Sequence, residues 1–544
     1  MPLRRLLRGH NKSHFVMAKL GEHEGMYPLV LLRTLVAVIA MLALGAHAAE
    51  LRIGMSADVT SIDPHQVNVA PNNAVGWHIY DALTHVDADT RLAPGLALAW
   101  RALDETTWEF TLRKGVRFHD GSDFSAADVA FSIERANELG KSGGQYASFV
   151  KPIVSTRIVD AHTIRFKTAS AYAMLPYDLN SIFIVSRKAA GARSEDFNAG
   201  KAAIGTGPFK LARFARGDRV ELTANNGYWG GRAPWERVTL RILADDKSRI
   251  AALLAGDVDA IENIPTADAV RLKANPMLRL EQKVSWRTLF FHLDQYRDNV
   301  PGVSDKAGHA LGKNPFKDIR VREAIAKAIN RQAIVERVME GLALPASNLV
   351  APPVFGHNAA IKPVPYDIDG AKRLLAAAGY PEGFALTLAA PNNRYVNDDQ
   401  IAQAAAQMLA RVGIRAQVVT LPAAAYFTKA RNGEFGFALL GWGSFDADLA
   451  LRALVATPNP EKGYGTWNWG HYSNPLVDKL VEQGLATVQE KQRARLAEQA
   501  MARTMQDYAV IPLHHQIASW AMKKGLRYEA RTDEYTFAHQ FRPQ

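Results

Sequence analysis

The chain has 544 residues, of which 48% are hydrophobic and 22% charged, so it is long enough for two or three lobes and has the composition of an ordinary globular protein. The absence of cysteine excludes disulfides, thiolate metal sites, a cysteine nucleophile and a lipid anchor on an N-terminal cysteine. The net charge of +11 is spread without a basic block, which argues against nucleic acid as a partner.

The first 48 residues are predicted to be a secretory signal peptide. Arg33 precedes the apolar run 35–44, and the small-residue site 46–48 follows. A basic residue, a short apolar core and an A-x-A site in this order are typical of a cleaved export signal. A retained membrane anchor is the alternative, although the apolar run is short for a membrane span. Met26 is a candidate start, and the mature chain, from about Ala49, is expected in the periplasm.

Strands are predicted to predominate in the first half of the mature chain, because apolar and polar residues alternate there. Ser125 and Asp128 form a capping-box pattern, which predicts a helix that begins at residue 126. The turn 216–218 predicts a hairpin. Strands are expected at 51–55, 108–113, 163–166, 209–211, 220–222 and 238–242, and a helix is expected around 250–254.

Helices and strands alternate in the second half, a rhythm that favours an α/β lobe. A long helical region is predicted at 319–342. Two further helices are each predicted to end at a glycine, Gly379 and Gly413, which is a common C-terminal stop. The helices are expected at 371–378 and 400–412, and the strands at 384–389, 415–419 and 435–440.

Two carboxylates, Asp446 and Asp448, come shortly after the last of these strands. Strand ends in α/β proteins commonly meet ligands, so one acid is a candidate contact for a cationic group, and a solvated turn is the alternative. A glycosidase-like acid pair is not favoured, because two acids this close in one segment cannot flank a bond. Trp442 lies between two glycines that would let a ligand approach the backbone, which favours Trp442 as a wall of the binding cleft.

Four separated stretches carry recognisable motifs. The stretches are Leu92 to Gly121, Gly205 to Trp229, Phe316 to Arg331 and Ile511 to His514. Their order and spacing resemble the extracytoplasmic solute-binding proteins that serve peptide, nickel and opine ABC importers, the dipeptide- and oligopeptide-binding protein family. The resemblance extends from about Leu51 to the C-terminus.

The resemblance implies an α/β periplasmic binding protein, with two α/β lobes joined by hinge strands and an α+β domain inserted in the first lobe. The hinge is expected near Trp286 and Gln516. Such a protein closes over its solute and presents it to a permease in the inner membrane. It is expected to be a monomer without a prosthetic group. The first lobe is expected at 49–76, 203–285 and 517–544, the inserted domain at 77–202, and the second lobe at 286–516.

The resemblance also suggests ligand-binding residues. Peptide-binding members receive the α-ammonium of the ligand on an aspartate shortly after a Gly-Trp pair, and here that position holds Phe445, with Asp446 one residue later. Either an apolar surface replaces the ammonium receptor, or a one-residue shift lets Asp446 serve. An opine or a modified peptide is therefore favoured over an ordinary dipeptide. The relatives place a carboxylate-binding arginine near Arg394, and a surface arginine is the alternative.

Four further residues have both a structural and a functional interpretation: Trp286, Arg287, His514 and His515. Trp286 and Arg287, at the expected hinge, are either buried structural residues or ligand contacts. The pair His514-His515 is not expected to bind nickel, because adjacent strand residues point to opposite faces. No nucleophile elbow, zinc motif or phosphate loop is present, so an enzyme is not expected. A sensor that feeds a chemoreceptor and a periplasmic hydrolase are the alternatives.

Overall fold

The computed structural model describes residues 49–544, and the predicted signal peptide lies outside them. Every helix in this range is too short or too polar to cross a membrane. The strands, numbered in chain order, are β1 (Glu50–Met55), β2 (Thr84–Val86), β3 (Leu92–Pro94), β4 (Ala97–Ala102), β5 (Thr107–Leu112), β6 (Ile153–Asp160), β7 (Thr163–Thr168), β8 (Phe209–Ala215), β9 (Arg219–Ala224), β10 (Arg237–Ile242), β11 (Ala260–Glu262), β12 (Leu278–Leu293), β13 (Val303–Ser304), β14 (Ala343–Pro345), β15 (Ala385–Pro391), β16 (Arg415–Leu421), β17 (Phe437–Gly443), β18 (Ile511–Lys523), β19 (Leu526–Arg527) and β20 (Arg542–Pro543).

The helices connect these strands and cover the sheets. In chain order they are α1 (Ala70–Ile79), α2 (Ala126–Gly140), α3 (Ala147–Val150), α4 (Leu175–Asp178), α5 (Ser194–Asn198), α6 (Asp246–Ala255), α7 (Thr266–Ala274), α8 (Ile319–Ala328), α9 (Arg331–Ala333), α10 (Ile368–Ala377), α11 (Asp398–Ala410), α12 (Ala423–Arg431), α13 (Ala447–Leu454), α14 (Pro475–Ala486) and α15 (Glu490–Gln506).

A twelve-stranded mixed sheet forms the body of the protein. Its order is β13-β15-β17-β12-β18-β11-β1-β10-β9-β8, with β16 paired to β15 and β14 paired to β18. β1 pairs in parallel with β10 and β11, and β15 pairs in parallel with β16 and β17. Two α/β lobes therefore meet at the long antiparallel pair of β12 and β18.

The pairing of β12 with β18 is interrupted in its middle. Val284 pairs with Ile517 on one side of the interruption, and Thr288 pairs with His515 on the other. The residues of β12 between these pairs include Trp286, which was expected at the hinge. A bulge of this kind locally disrupts the ladder and bends the strand. The exact limits of the lobes and of the inserted domain stay a prediction.

A separate four-stranded antiparallel sheet, β4-β5-β7-β6, lies within the segment 77–202. Helix α2 packs beside it and begins where the capping box predicted, since the Ser125 backbone N–H donates to the Asp128 carboxylate over 3.0 Å. A buried ion pair of 2.7 Å between Asp63 and Arg135 attaches α2 to the loop that follows β1. This small sheet is thereby fastened to the first lobe.

The helical region predicted at 319–342 is interrupted, so that prediction is wrong in its continuity. Helix α8 ends at Ala328, and Asn330 caps the short helix α9 by accepting a hydrogen bond from the backbone N–H of Ala333. The apolar spacing continues through this break and therefore did not reveal it. The predicted stops after α10 and α11 are confirmed, since Gly379 and Gly413 have φ angles of 91° and 88°.

Three large hydrophobic cores stabilise the residues that the structure describes. One core fills the first lobe around Leu51 and Trp520, and a second fills the other α/β half around Phe291 and Leu388. The third core runs from the small sheet, through residues such as Phe110, into helices α13 to α15. The segment 77–202 thus packs against the second lobe as well as the first.

Candidate functional site

A cavity of about 2690 Å³ lies where the lobes and the segment 77–202 meet. This volume exceeds the roughly 300–1,000 Å³ typical of small-molecule pockets. Its walls include the bulge of β12, the loop after β15, the end of β17 and the loop 531–535. Of the seven predicted ligand-binding residues, five line it: Trp286, Arg287, Arg394, Trp442 and Phe445.

The glycines beside Trp442 make room for protein side chains. A Cβ atom on Gly443 would lie 2.5 Å from Nε1 of Trp286, and a Cβ atom on Gly441 would lie 2.6 Å from Cε1 of Tyr395. The hydroxyl of Tyr395 also donates to the Gly441 carbonyl over 3.0 Å. The prediction that these glycines admit a ligand to the backbone is therefore wrong, because aromatic rings already occupy the space.

Aromatic side chains form the cavity wall after β17. Trp442 is half-buried and packs edge-on against Trp467, with 5.0 Å between the ring centroids. Phe445, also half-buried, stacks on Tyr177 of the segment 77–202 at 5.8 Å and 11°. The ring centroids of Trp286 and Phe445 are 6.4 Å apart. The position where relatives were expected to hold an acid is thus an apolar contact between the second lobe and the segment 77–202.

Asp446 and Asp448 are fully buried, and neither lines the cavity. Nη1 of Arg493 donates to Oδ2 of Asp446 over 2.6 Å and to Oδ2 of Asp448 over 3.0 Å. Burial raises the pKa of both carboxyls, and the Arg493 guanidinium opposes this rise. The charge of Asp446 adds to burial and brings the pKa of Asp448 to about 7. The prediction that either acid meets a ligand does not fit this arrangement, because both are buried away from the cavity and both already bind Arg493.

Asp446 has a second role that also corrects the alternative of a solvated turn. Its Oδ1 accepts a hydrogen bond of 2.8 Å from the backbone N–H of Asp448, so Asp446 is the N-cap of α13. The sequence carried a signal for this helix, because Ala447, Ala450, Leu451 and Leu454 recur with helical spacing and are all buried. The segment after Phe445 is therefore a helix start.

Arg287 lines the cavity, but its charge is compensated. Its Nη2 donates to Oε2 of Glu534 over 2.5 Å, and the same carboxylate accepts from Ser285 Oγ over 2.6 Å and Gln516 Nε2 over 3.2 Å. Although burial opposes ionisation, the Arg287 guanidinium holds the pKa of Glu534 below its usual value. Glu534 thus ties β12 to β18 at the bulge, where the hinge was expected.

The backbone of Glu534 is strained, which marks this contact as a constrained point. Its φ angle is 65°, a conformation that residues other than glycine seldom adopt. Trp286 is held to the same loop, because its backbone N–H donates to the Thr532 carbonyl over 2.9 Å and its ring lies 5.8 Å from Tyr535. The bulge of β12 and the loop 531–535 therefore form one connected wall of the cavity.

Arg394, in the loop after β15, offers an uncompensated positive charge to the cavity. Its side chain is exposed to the cavity, and its guanidinium lies 5.2 Å from the centre of the Tyr395 ring. Only its backbone N–H is engaged, with Asp398 over 2.9 Å, and no carboxylate within residues 49–544 forms an ion pair with it. Enclosure by the protein and the nearby Arg287 lower the pKa of Arg394. An anion bound beside Arg394 would stabilise the charged guanidinium against both its enclosure and the repulsion by Arg287.

Two arginines of the second lobe reach the segment 77–202, and sequence reasoning missed both. Nη1 of Arg452, on α13, donates to the hydroxyl of Tyr172 over 2.8 Å, and Nη2 of Arg493, on α15, donates to the hydroxyl of Tyr177 over 3.1 Å. The Tyr172 hydroxyl in turn donates to Asp178 over 2.5 Å. No local motif marks these arginines, because their partners are more than 270 residues away in the chain.

In a chain without cysteine, histidine and acidic side chains are the candidates for holding a metal ion. Across residues 49–544, no group of three or more histidine or acidic side chains is placed to hold an ion. His514 and His515 are both buried in β18, and Nδ1 of His515 lies 2.8 Å from the hydroxyl of Thr288. Burial lowers the pKa of His514 to about 4. Both side chains are therefore packed within the second lobe.

The fold and the cavity define a two-lobed solute-binding protein. The family model for bacterial extracellular solute-binding proteins, family 5, matches residues 91–459, more than half of the chain. The chain belongs to this family. The glutathione-binding protein GsiB of Escherichia coli K12 is 30% identical over 507 residues, which cover 91% of this chain and 94% of that protein.

Solved structures show the same fold. The periplasmic binding protein DppA of Helicobacter pylori, in complex with the peptide STSA, aligns with a TM-score of 0.77 and 24% identity over 91% of this chain and 98% of that one. AgaA of A. tumefaciens R10, in complex with agropinic acid, aligns with a TM-score of 0.75 and 24% identity over 91% and 99%. At this identity the likeness extends to the architecture alone.

Proposed function

We propose that this protein is the solute-binding component of an ABC importer and that it captures a small peptide-like or opine-like solute in the periplasm. The observation that carries the proposal is the large cavity between the lobes, into which Arg394 presents a charge without a partner. Relatives named or solved with glutathione, a peptide and an opine support this solute class. The protein acts by binding and release, as a monomer, and catalyses no reaction.

Arg394 receives an anionic group of the solute, in keeping with the sequence prediction. A guanidinium pairs with a carboxylate through two parallel hydrogen bonds, which fixes orientation as well as charge. Trp286, Trp442 and Phe445 supply the apolar wall. No ammonium receptor is assigned to Asp446 or Asp448, because both are buried outside the cavity and bound to Arg493. An opine or a modified peptide is therefore favoured over an ordinary dipeptide.

Capture follows from closure of the two lobes about the bulge of β12. A solute that contacts both lobes stabilises the closed state by the interactions that the open state lacks. Closure also removes water, so each polar contact in the cavity becomes stronger. The closed protein is then the form that the permease in the inner membrane recognises.

The test combines native mass spectrometry of the purified protein with thermal shifts on a panel of peptides, acylated peptides and opines. A bound solute raises the melting temperature by mass action. The substitution Arg394→Met should weaken an anionic solute by about 2–5 kcal/mol, since it removes one partner of an enclosed charge pair. The matched substitution Arg431→Met, at an exposed arginine on the same cavity wall, should change affinity little.

Two results would contradict the proposal. One is the absence of a solute in native spectra together with no thermal shift across the panel, accompanied by turnover of one of the compounds. The other is an affinity for the bound solute that Arg394→Met leaves unchanged, which would remove this residue from the site.

A further inference from the structure

Arg452 is a second positive charge on the cavity wall. It lies on α13, is half-buried and lines the cavity. Its only side-chain hydrogen bond among residues 49–544 is the one from Nη1 to the Tyr172 hydroxyl, and no carboxylate in that range lies within ion-pair distance. The acid of this network is Asp178, whose carboxylate accepts a hydrogen bond from the same Tyr172 hydroxyl. The guanidinium therefore keeps spare N–H donors. Although burial opposes it, the Tyr172 hydroxyl and the Asp178 carboxylate raise the pKa of Arg452, so its charge is already stabilised within the protein.

Arg452 and Arg394 belong to one continuous wall. Arg394 lies beside Tyr395, whose hydroxyl bonds to Gly441, and Trp442 follows in β17. Trp442 packs on Trp467. The backbone N–H of Trp467 then donates to the carbonyl of Ala453, the neighbour of Arg452, over 2.9 Å. Tryptophan side chains thus separate two cationic points that lie on the same lobe.

We propose that the cavity takes a solute with two carboxylates, one bound by Arg394 and the other by Arg452, with an apolar portion against Trp442 and Trp467. This inference rests on the proposed function and adds the chemical class of the solute. A guanidinium carries five N–H donors, and Arg452 uses only one of its N–H groups within residues 49–544, so a carboxylate of the solute can accept from the others. Arg452 also contacts Tyr172, so the second carboxylate would bind where the second lobe meets the segment 77–202.

The test uses probes that differ by a single charge. N-acetyl-Glu-Phe, N-acetyl-Glu-Ala-Phe and N-acetyl-Glu-Ala-Ala-Phe present two carboxylates at increasing separation, and each has a glutamine counterpart with only one. Calorimetry on the full mature protein should show at least one glutamate probe that binds about tenfold or more tightly than its counterpart. Arg452→Met should reduce that ratio to within about twofold, whereas Arg431→Met should preserve it.

Tyr172→Phe separates recognition from folding, because it removes the hydroxyl contact and leaves Arg452 in place. The preference for the glutamate probe should persist in this variant. The inference is overturned if every ratio in the unmodified protein is close to one, if the preference survives Arg452→Met, or if no probe binds. If a glutamate probe and its glutamine counterpart bind equally well and both depend on Arg394, the proposal of a second bound carboxylate is overturned. The proposed function would still stand in that case. The absence of any solute in native spectra would count against the proposed function itself.

Discussion

Gly443 offers a direct test of the packing that shapes the cavity wall. A methyl group at this position would lie 2.5 Å from Nε1, 2.7 Å from Cδ1 and 2.9 Å from Cε2 of Trp286, distances at which the ring must move. The ring has little freedom, because the backbone of Trp286 is bound to Thr532 and its ring packs beside Phe445 and edge-to-face with Tyr535. Gly443→Ala should therefore displace Trp286 and disturb the solute site.

The effect of Gly443→Ala on the free energy of unfolding is the balance of two opposing contributions. Overpacking of a filled site costs about 1–3 kcal/mol, while replacement of glycine by alanine stabilises by about 0.4–1 kcal/mol through the unfolded chain. Subtracting the second range from the first gives a net destabilisation of about 0–2.6 kcal/mol, centred on about 1.3 kcal/mol. Gly525→Ala is the matched control, because a Cβ atom there meets no atom within 4 Å. Only the unfolded-state effect should remain in that variant.

Urea denaturation of both variants, together with tryptophan fluorescence and solute affinity, measures this difference. Gly443→Ala should unfold at lower urea than Gly525→Ala, show an altered emission spectrum and bind the solute more weakly. Equal stability of the two variants within about 0.5 kcal/mol would refute the claim that Trp286 fills the space over Gly443.

Two further predictions concern buried charges. Arg493→Met would leave the buried carboxylates of Asp446 and Asp448 without a cation. In urea titrations it should lower the free energy of unfolding by about 3–5 kcal/mol. A loss below about 1 kcal/mol would show that Arg493 does not stabilise these two carboxylates. Burial raises the pKa of Asp178 to about 6, above its unfolded value of about 4, so the native state holds this proton more tightly. The contribution of Asp178 to stability should therefore fall by roughly 3 kcal/mol as the pH rises from about 4 to about 6, and Asp178→Asn should remove this contribution from the pH dependence of unfolding. Parallel pH slopes for the two proteins would contradict this assignment.

The sequence by itself determined the family and much of the local structure. Strand alternation, the capping box at Ser125 and the glycine stops at Gly379 and Gly413 rest on neighbours in the chain, and the structure confirms them. The solute-binding class could also be predicted, because four motifs in order along the chain carry the resemblance to the family. The break after Ala328 could not, since apolar spacing continues through it.

Only the tertiary structure decided which charges are available to a solute. Asp446, Asp448, Arg287 and Arg394 all looked alike as charged residues near expected strand ends. Arg493 binds both aspartates and Glu534 pairs with Arg287, in each case from more than 40 residues away in the chain, and Arg394 alone of the four forms no ion pair within residues 49–544. An ion pair depends on where the chain brings its distant parts together, so composition and spacing could not reveal it.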